Sequence, residues 1–136
     1  MPAIQAGQVV VADRNLYGTI AYQAFGRGLD LELVDRMNRV ATLGYWPDLV
    51  FVLSIDPELG LLRKRDQQPL DRFDGEDLAY QRRVREGYLF AARRDADHAV
   101  IIDAAGSADA VFEEVRKVAV RRLGAALPQA IHKDAS

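Results

Sequence analysis

The chain has 136 residues, 49% of them hydrophobic and 28% charged, with a net charge of −2, the make-up of one ordinary globular domain with no general attraction to nucleic acid. No apolar stretch approaches the roughly 20 residues that cross a bilayer, and the start, MPAIQAGQVVV, lacks the basic region of a secretory signal, so a cytoplasmic chain is expected. Cysteine is absent and the two histidines, His98 and His132, stand far apart, which excludes disulfides and thiolate chemistry and argues against a histidine-held metal.

QVVVA at 8–12 is the first of three short apolar runs that read as strands buried on both faces; LVFVLSI at 49–55 and AVIID at 99–103 are the others. Continuous rather than alternating apolar character is what a parallel sheet covered by helices requires. Asp13 and Arg14 directly follow the first run, and a glycine-punctuated segment leads on to Asp30. Helical periodicity begins at 31–43, where Leu33, Val34, Met37, Val40 and Ala41 form one stripe expected to face the sheet, with Asp30 as N-cap and Gly44 and Pro47 as the stop. A second helix is predicted from Pro57 behind an Asp56 cap, and a third over about 75–93 with Leu78, Val84, Tyr88 and Ala92 inward. The last runs from Ser107 to Leu123, with Val111, Val115, Val118 and Ala119 on one side and Gly124 ending it. This alternation predicts a single α/β domain over 1–136 with parallel strands joined by right-handed crossovers.

Ligands of open α/β sheets collect beyond the carboxyl ends of the strands, where Asp13 and Arg14 fall. An arginine there can grip a phosphate with two parallel hydrogen bonds while the carboxylate orients it, accepts from a sugar hydroxyl or helps to hold magnesium. The same pair could equally cap local backbone at a loop. Arg63 and Arg65 flank Lys64 ahead of LDRFDGED, and arginines on a mobile loop suit the charge of a phosphoryl group in transfer; solvated helix-end arginines are the alternative. Arg82, Arg83 and Arg85, Arg93 and Arg94, and Arg121 and Arg122 read as exposed helix faces, and Tyr80 and Tyr88 as packing residues. Tyr22 and Phe25 suit a base or sugar contact as well as core packing, and His98 reads as structural or exposed.

The order DR at 13–14, AYQ at 21–23, GRGLD at 26–30, PDLVFVLSID at 47–56, RKR at 63–65, DRFD at 71–74, RVREGY at 83–88 and IIDAAGSADAVFEEV at 101–115 resembles bacterial thymidylate kinase over nearly the whole chain. The resemblance implies an α/β, P-loop nucleotide kinase-like three-layer fold with a parallel sheet, usually assembled as a homodimer. It also implies transfer of the terminal phosphoryl group of ATP to dTMP, giving dTDP, with Mg2+. On that reading Arg14 would bind the dTMP phosphate and Asp13 would help to arrange the phosphate and metal site. Thr19, Tyr22 and Gln23 would line the thymidine pocket, with Arg27 in support. Arg63, Arg65 and Arg72 would belong to a lid whose arginines contact the ATP phosphates, and the stretch after Asp103 resembles the part that meets the adenine.

The chain departs from the family at Asn15, where tyrosine or histidine is usual, at Gly18, a common serine, and at Gln67, where many lids carry arginine. No G-x-x-x-x-G-K-[ST] motif occurs in the 136 residues. MPAIQAGQ resembles the tail of the helix leading into the DR strand, so about two βαβ units of roughly 30 residues each have no counterpart, the P-loop among them. In the family the P-loop strand lies between the DR and PDLVFVLSID strands; without it these two stand roughly 10 Å apart with unpaired backbone facing the gap. Such an edge pairs with another chain, closes by a shift, or leaves the fragment poorly folded. Three functional readings remain: a truncated thymidylate kinase, inactive alone; a non-catalytic nucleotide-binding or interaction module; and a different nucleotide kinase or unrelated α/β protein, against which the ordered motifs speak.

Overall fold

Two of the three apolar runs become strands. In the computed structural model, which describes residues 2–67 and 75–124 and the side chains of 2–63 and 78–124, β1 (Val50–Ser54) pairs in parallel with β2 (Ala99–Asp103). The register runs from Val50 beside Ala99 to Ser54 beside Asp103, and is prolonged at both ends where Val50 N donates to His98 O at 2.8 Å and Ala104 N to Ser54 O at 2.9 Å. The α/β class with a parallel sheet is therefore as expected.

The first run behaves otherwise. Residues 8–12 form no ladder, and Val9, Val10 and Val11 are 44%, 51% and 90% exposed, which corrects the expectation of a buried strand there. A strand is held by the hydrogen bonds of its neighbours, and the two-stranded sheet of the described residues brings none of its edges to this segment. The valines of this run stay exposed.

After a short α1 (Pro2–Gln5), the chain forms α2 (Leu16–Thr19), which continues without a break into a π-helix (Ile20–Gly26). Neither was anticipated, because glycines at 18 and 26 mask a periodicity whose buried members are Leu16, Tyr17, Ile20, Ala21 and Ala24. α3 (Leu31–Thr42) starts where predicted: Asp30 Oδ1 accepts from Leu33 N at 2.8 Å, and Leu43 and Gly44 take left-handed backbone angles at its end. Its inward face differs from the predicted stripe. Val34 and Asn38 are buried, whereas Leu33, Met37 and Val40 are 42%, 60% and 75% exposed. Asn38 wins the inward position because its side-chain amide donates to Leu16 O at 3.1 Å, meeting a backbone need that a hydrophobic side chain could not.

α4 (Pro57–Gln67) follows an Asp56 whose carboxylate accepts from Glu58 N at 2.9 Å, and α5 (Gly75–Arg94) and α6 (Ala108–Leu123) match their predicted spans to within a residue or so. Leu16, Tyr17, Ile20, Ala24 and Val34 pack with Val50, Val52, Ala91 and Ala92 in one cluster, so α2, the π-helix and α5 cover one face of the sheet. Ile102 points to the opposite face by the strand's alternation and is buried, with α6 packed along β2. Two glycines bring α5 and the π-helix together: a Cβ at Gly87 would lie 2.6 Å from Ala21 Cα, and one at Gly26 would lie 2.9 Å from the Tyr80 ring. Arg83 adds donations to Gly26 O at 3.3 and 3.4 Å, closing the C-terminal end of the π-helix.

Candidate functional site

The position of α2 fixes the head of the site. Asn15 caps it, its Oδ1 accepting from Tyr17 N at 3.0 Å, so the residue that replaces the usual aromatic of the resembled family has a defined local task. Asn38 holds Leu16 O from α3, and the Tyr17 hydroxyl donates to Asp95 Oδ2 at 2.7 Å. Arg14 is then presented with φ at 66°, a left-handed angle that costs a non-glycine residue about 1–3 kcal/mol and that folds retain mainly where surrounding structure enforces it, often at functional sites.

Three side chains converge there. The Arg14 guanidinium lies 5.6 Å from the centre of the Tyr22 ring, and Tyr22 meets Tyr88 edge to face, with ring centres 6.1 Å apart and planes at 87°. The Tyr88 hydroxyl sits over Gly18, where a Cβ would come within 3.1 Å of it, so the glycine that departs from the family's common serine leaves room for this ring. Burial, with the adjacent Tyr22 hydroxyl, pushes the Tyr88 phenol above its ordinary pKa; the Arg14 cation pulls the other way and the Asp13 carboxylate adds to the rise. Asp13, Arg14, Tyr22 and Tyr88 therefore share one electrostatic neighbourhood. π-helical turns within helices often occur at functional sites, and this one carries both Tyr22 and Gln23.

Tyr22 and Tyr88 also wall a cleft of about 310 Å3 running past the end of β1. Val52, Leu61, Val84 and Leu89 make it apolar, while Ser54, Gln81 and Arg85 supply polar groups. Arg85 Nε donates to Ser54 Oγ at 3.2 Å. An apolar wall with few, convergent donors and a cation at its margin suits a planar or sugar-sized ligand carrying an anion. Arg14, exposed and without a carboxylate partner among the described residues, can supply the anion contact.

The remaining predicted residues are less gathered. Thr19 closes α2 and is half-buried; Gln23 Oε1 accepts from Arg27 at 3.4 Å on an exposed surface. Arg63 makes its bonds to the loop after β2, donating to Ala104 O at 2.9 Å, Gly106 O at 3.1 Å, and Ala105 O. The Arg65 side chain and all of Arg72 lie outside the described residues. Among the described residues no three acidic, histidine or cysteine side chains gather as a metal site. Asp13 offers one carboxylate, a set that fits magnesium only together with phosphate oxygens and water, as that ion is usually held.

Of the arginines read as plain helix faces, Arg94 forms a two-pronged bond to Asp35 at 2.7 and 2.8 Å, and Arg82 pairs with Glu58. Tyr88 and Arg85 were missed as site residues. Their helical spacing signals only an inward face, and nothing in sequence brings position 88 to position 22.

A model of the family described as thymidylate kinase matches residues 1–115. The chain belongs to the thymidylate kinase family. It is similar to the thymidylate kinase of Maridesulfovibrio salexigens, 41% identical over 129 residues that make up 90% of this chain and 59% of that protein. The thymidylate kinase of Oleidesulfovibrio alaskensis is 45% identical over 122 residues, 85% of this chain and 58% of its own. Among solved structures, the crystal structure of thymidylate kinase from Ehrlichia chaffeensis aligns with a TM-score of 0.66 at 25% identity, covering 86% of this chain and 55% of that one. The chain thus spans rather more than half the length of the thymidylate kinases it matches.

Proposed function

We propose that the chain carries the nucleoside-monophosphate half of a thymidylate kinase, which moves the terminal phosphoryl group of ATP to dTMP only when joined by the phosphate-cradling part that these residues lack. The observation that carries the reading is Arg14, held in a left-handed conformation with its guanidinium over the ring of Tyr22, which with Tyr88 lines an apolar cleft. Its guanidinium would bind the dTMP phosphate, Tyr22 and Gln23 with Thr19 would meet the nucleoside, Arg27 would steady Gln23, and Tyr88 would close the pocket. Asp13 would contribute to a Mg2+ shell, and the ion when bound would neutralise phosphate charge. Arg63, Arg65 and Arg72 keep their proposed place in a lid over the ATP phosphates. For Arg63 that requires release from the 104–106 carbonyls.

Inactivity of the 136 residues alone is part of the proposal. Phosphoryl transfer depends on positioning and charge stabilisation, and no glycine-rich loop is present to fix the β- and γ-phosphates. The exposed, unladdered Val9–Val11 run supports the same reading, since an apolar segment of this composition ordinarily pairs within a sheet. The homodimer implied by the family remains part of it, and the exposed Leu33, Met37 and Val40 stripe of α3 is a surface suited to it.

The test is dTDP formation from dTMP and ATP, by the chain alone and mixed with the P-loop-bearing N-terminal portion of a relative. No turnover above background is expected alone, and turnover on mixing. Robust activity of the chain alone would overturn the requirement for a second part. If dTMP binds the chain without any turnover on mixing, the non-catalytic nucleotide-binding module becomes the better description.

A further inference from the structure

The Asp95 carboxylate, just past the end of α5, collects three side chains, two of them far from it in sequence and the third in its own turn. Its Oδ2 accepts from the Tyr17 hydroxyl and from Trp46 Nε1, each at 2.7 Å, and its Oδ1 is 2.7 Å from His98 Nδ1. Tyr17 is 1% exposed and belongs to α2; Trp46 lies in the connection from α3 to β1; His98 leads into β2. One carboxylate therefore ties α2 and the connection from α3 to β1 to the turn between α5 and β2, to which His98 also belongs. Of its three donors, Tyr17 and Trp46 are always neutral at ordinary pH, so only His98 can bring a positive charge.

We propose that Asp95 is a positioning residue that clamps α2, and with it Arg14, and that the clamp is proton-sensitive because it tightens when His98 is charged and slackens when His98 is neutral. The proposal rests on the preceding functional reading only for what α2 carries; the clamp itself is a property of the four side chains.

The surrounding charges leave His98 as the group that changes near neutrality. The Asp95 hydrogen bond and charge hold the His98 imidazole above its ordinary pKa, and Asp97 and Asp48 add to this. The Tyr17 phenol is pushed far up by burial and then by its bond to Asp95, so it stays protonated. Arg94, on α5, is fixed to Asp35 of α3 and remains a cation throughout. For Asp95 itself burial works to raise the pKa, but the bonds from Trp46, His98 and Tyr17 together outweigh it, so the carboxylate stays ionised well below neutrality. A group whose folded pKa is raised stabilises the fold below its unfolded value and loses that contribution as pH rises through the folded one. The clamp is thus tight in mild acid and slackens on the alkaline side of about 6.5.

Trp46 is the single tryptophan of the chain, so its emission reports on the clamp without a label. In the intact chain the emission maximum is expected to move to longer wavelength, in one sigmoidal step on the alkaline side of the ordinary histidine pKa, as the indole exchanges carboxylate for water. Amide exchange at Tyr17 and Gly18 should accelerate over the same step. His98→Gln, at a half-exposed side chain, should keep the circular dichroism of the wild type and abolish both changes. Superposable pH profiles for wild type and His98→Gln overturn the proposal, as does a Trp46 step with no change in α2 exchange. Should dTMP bind at neither pH while both readouts follow His98, the clamp stands and the nucleotide reading of the site fails.

Discussion

The Tyr17 hydroxyl donates to the Asp95 carboxylate at 2.7 Å across 78 positions of sequence, joining the start of α2 to the end of α5. A hydrogen bond to an ionised acceptor contributes about 1.5–3 kcal/mol, more than one between neutral groups. Tyr17→Phe keeps the buried ring in the core and removes only the donor, and Asp95 retains Trp46 and His98. Urea unfolding should therefore show the midpoint falling by that amount of stability with an unchanged slope. A midpoint equal to wild type would mean that the bond is idle.

Acid should act on the same carboxylate from the other side. Because the Asp95 pKa is lowered in the fold, the stability it contributes is present above the ordinary carboxylate value and is lost as pH falls through the folded one. Asp95→Asn should destabilise the chain at neutral pH, and the gap in melting temperature to wild type should narrow below about pH 4. A gap that persists undiminished to pH 2 would assign the loss to packing rather than to charge.

Gly87 offers a purely steric prediction. Helix α5 crosses the π-helix so closely that a methyl group at 87 would stand 2.6 Å from Ala21 Cα and 2.9 Å from Phe25 Cβ, one of them backbone that cannot rotate aside. Gly87→Ala would ordinarily gain helix propensity worth about 0.8–1 kcal/mol. Here overpacking, typically about 1–3 kcal/mol, should win, and thermal melting should report a net loss. A stabilised variant would mean that the crossing is looser than the glycine suggests.

The contrast between α3 and the 8–12 run explains how far sequence could lead. The caps Asp30 of α3 and Asp56 ahead of α4 act within three residues and were legible because capping is local. The inward face of α3 was misread because Asn38 is chosen by a carbonyl at Leu16, 22 positions away, while Leu33, Met37 and Val40 looked like core by composition alone. QVVVA has the composition of a buried strand and lacks only a neighbour, which composition cannot report. In the site, Asp13, Arg14 and Tyr22 could be named from their place after an apolar run. Tyr88, Arg85 and the Asp95 clamp come from α5, whose charged and aromatic residues carry no local mark of what they will face.

Arg63 gives the last prediction. Three consecutive carbonyls, from Ala104 to Gly106, turn towards one guanidinium, and the turn is set by Asp103 Oδ1 accepting from Ala105 N at 2.9 Å. A planar fork can serve several acceptors at once, whereas the lysine ammonium is a compact charge on a flexible stem. Arg63→Ala should therefore free the 104–106 loop, accelerating amide exchange there severalfold while exchange in α5 stays as it was. Arg63→Lys should recover little of the protection. If Lys restored it fully, charge rather than the fork would be holding the loop; if Ala left exchange unchanged, the loop would owe its shape to Asp103 and the Ser107 cap of α6 alone.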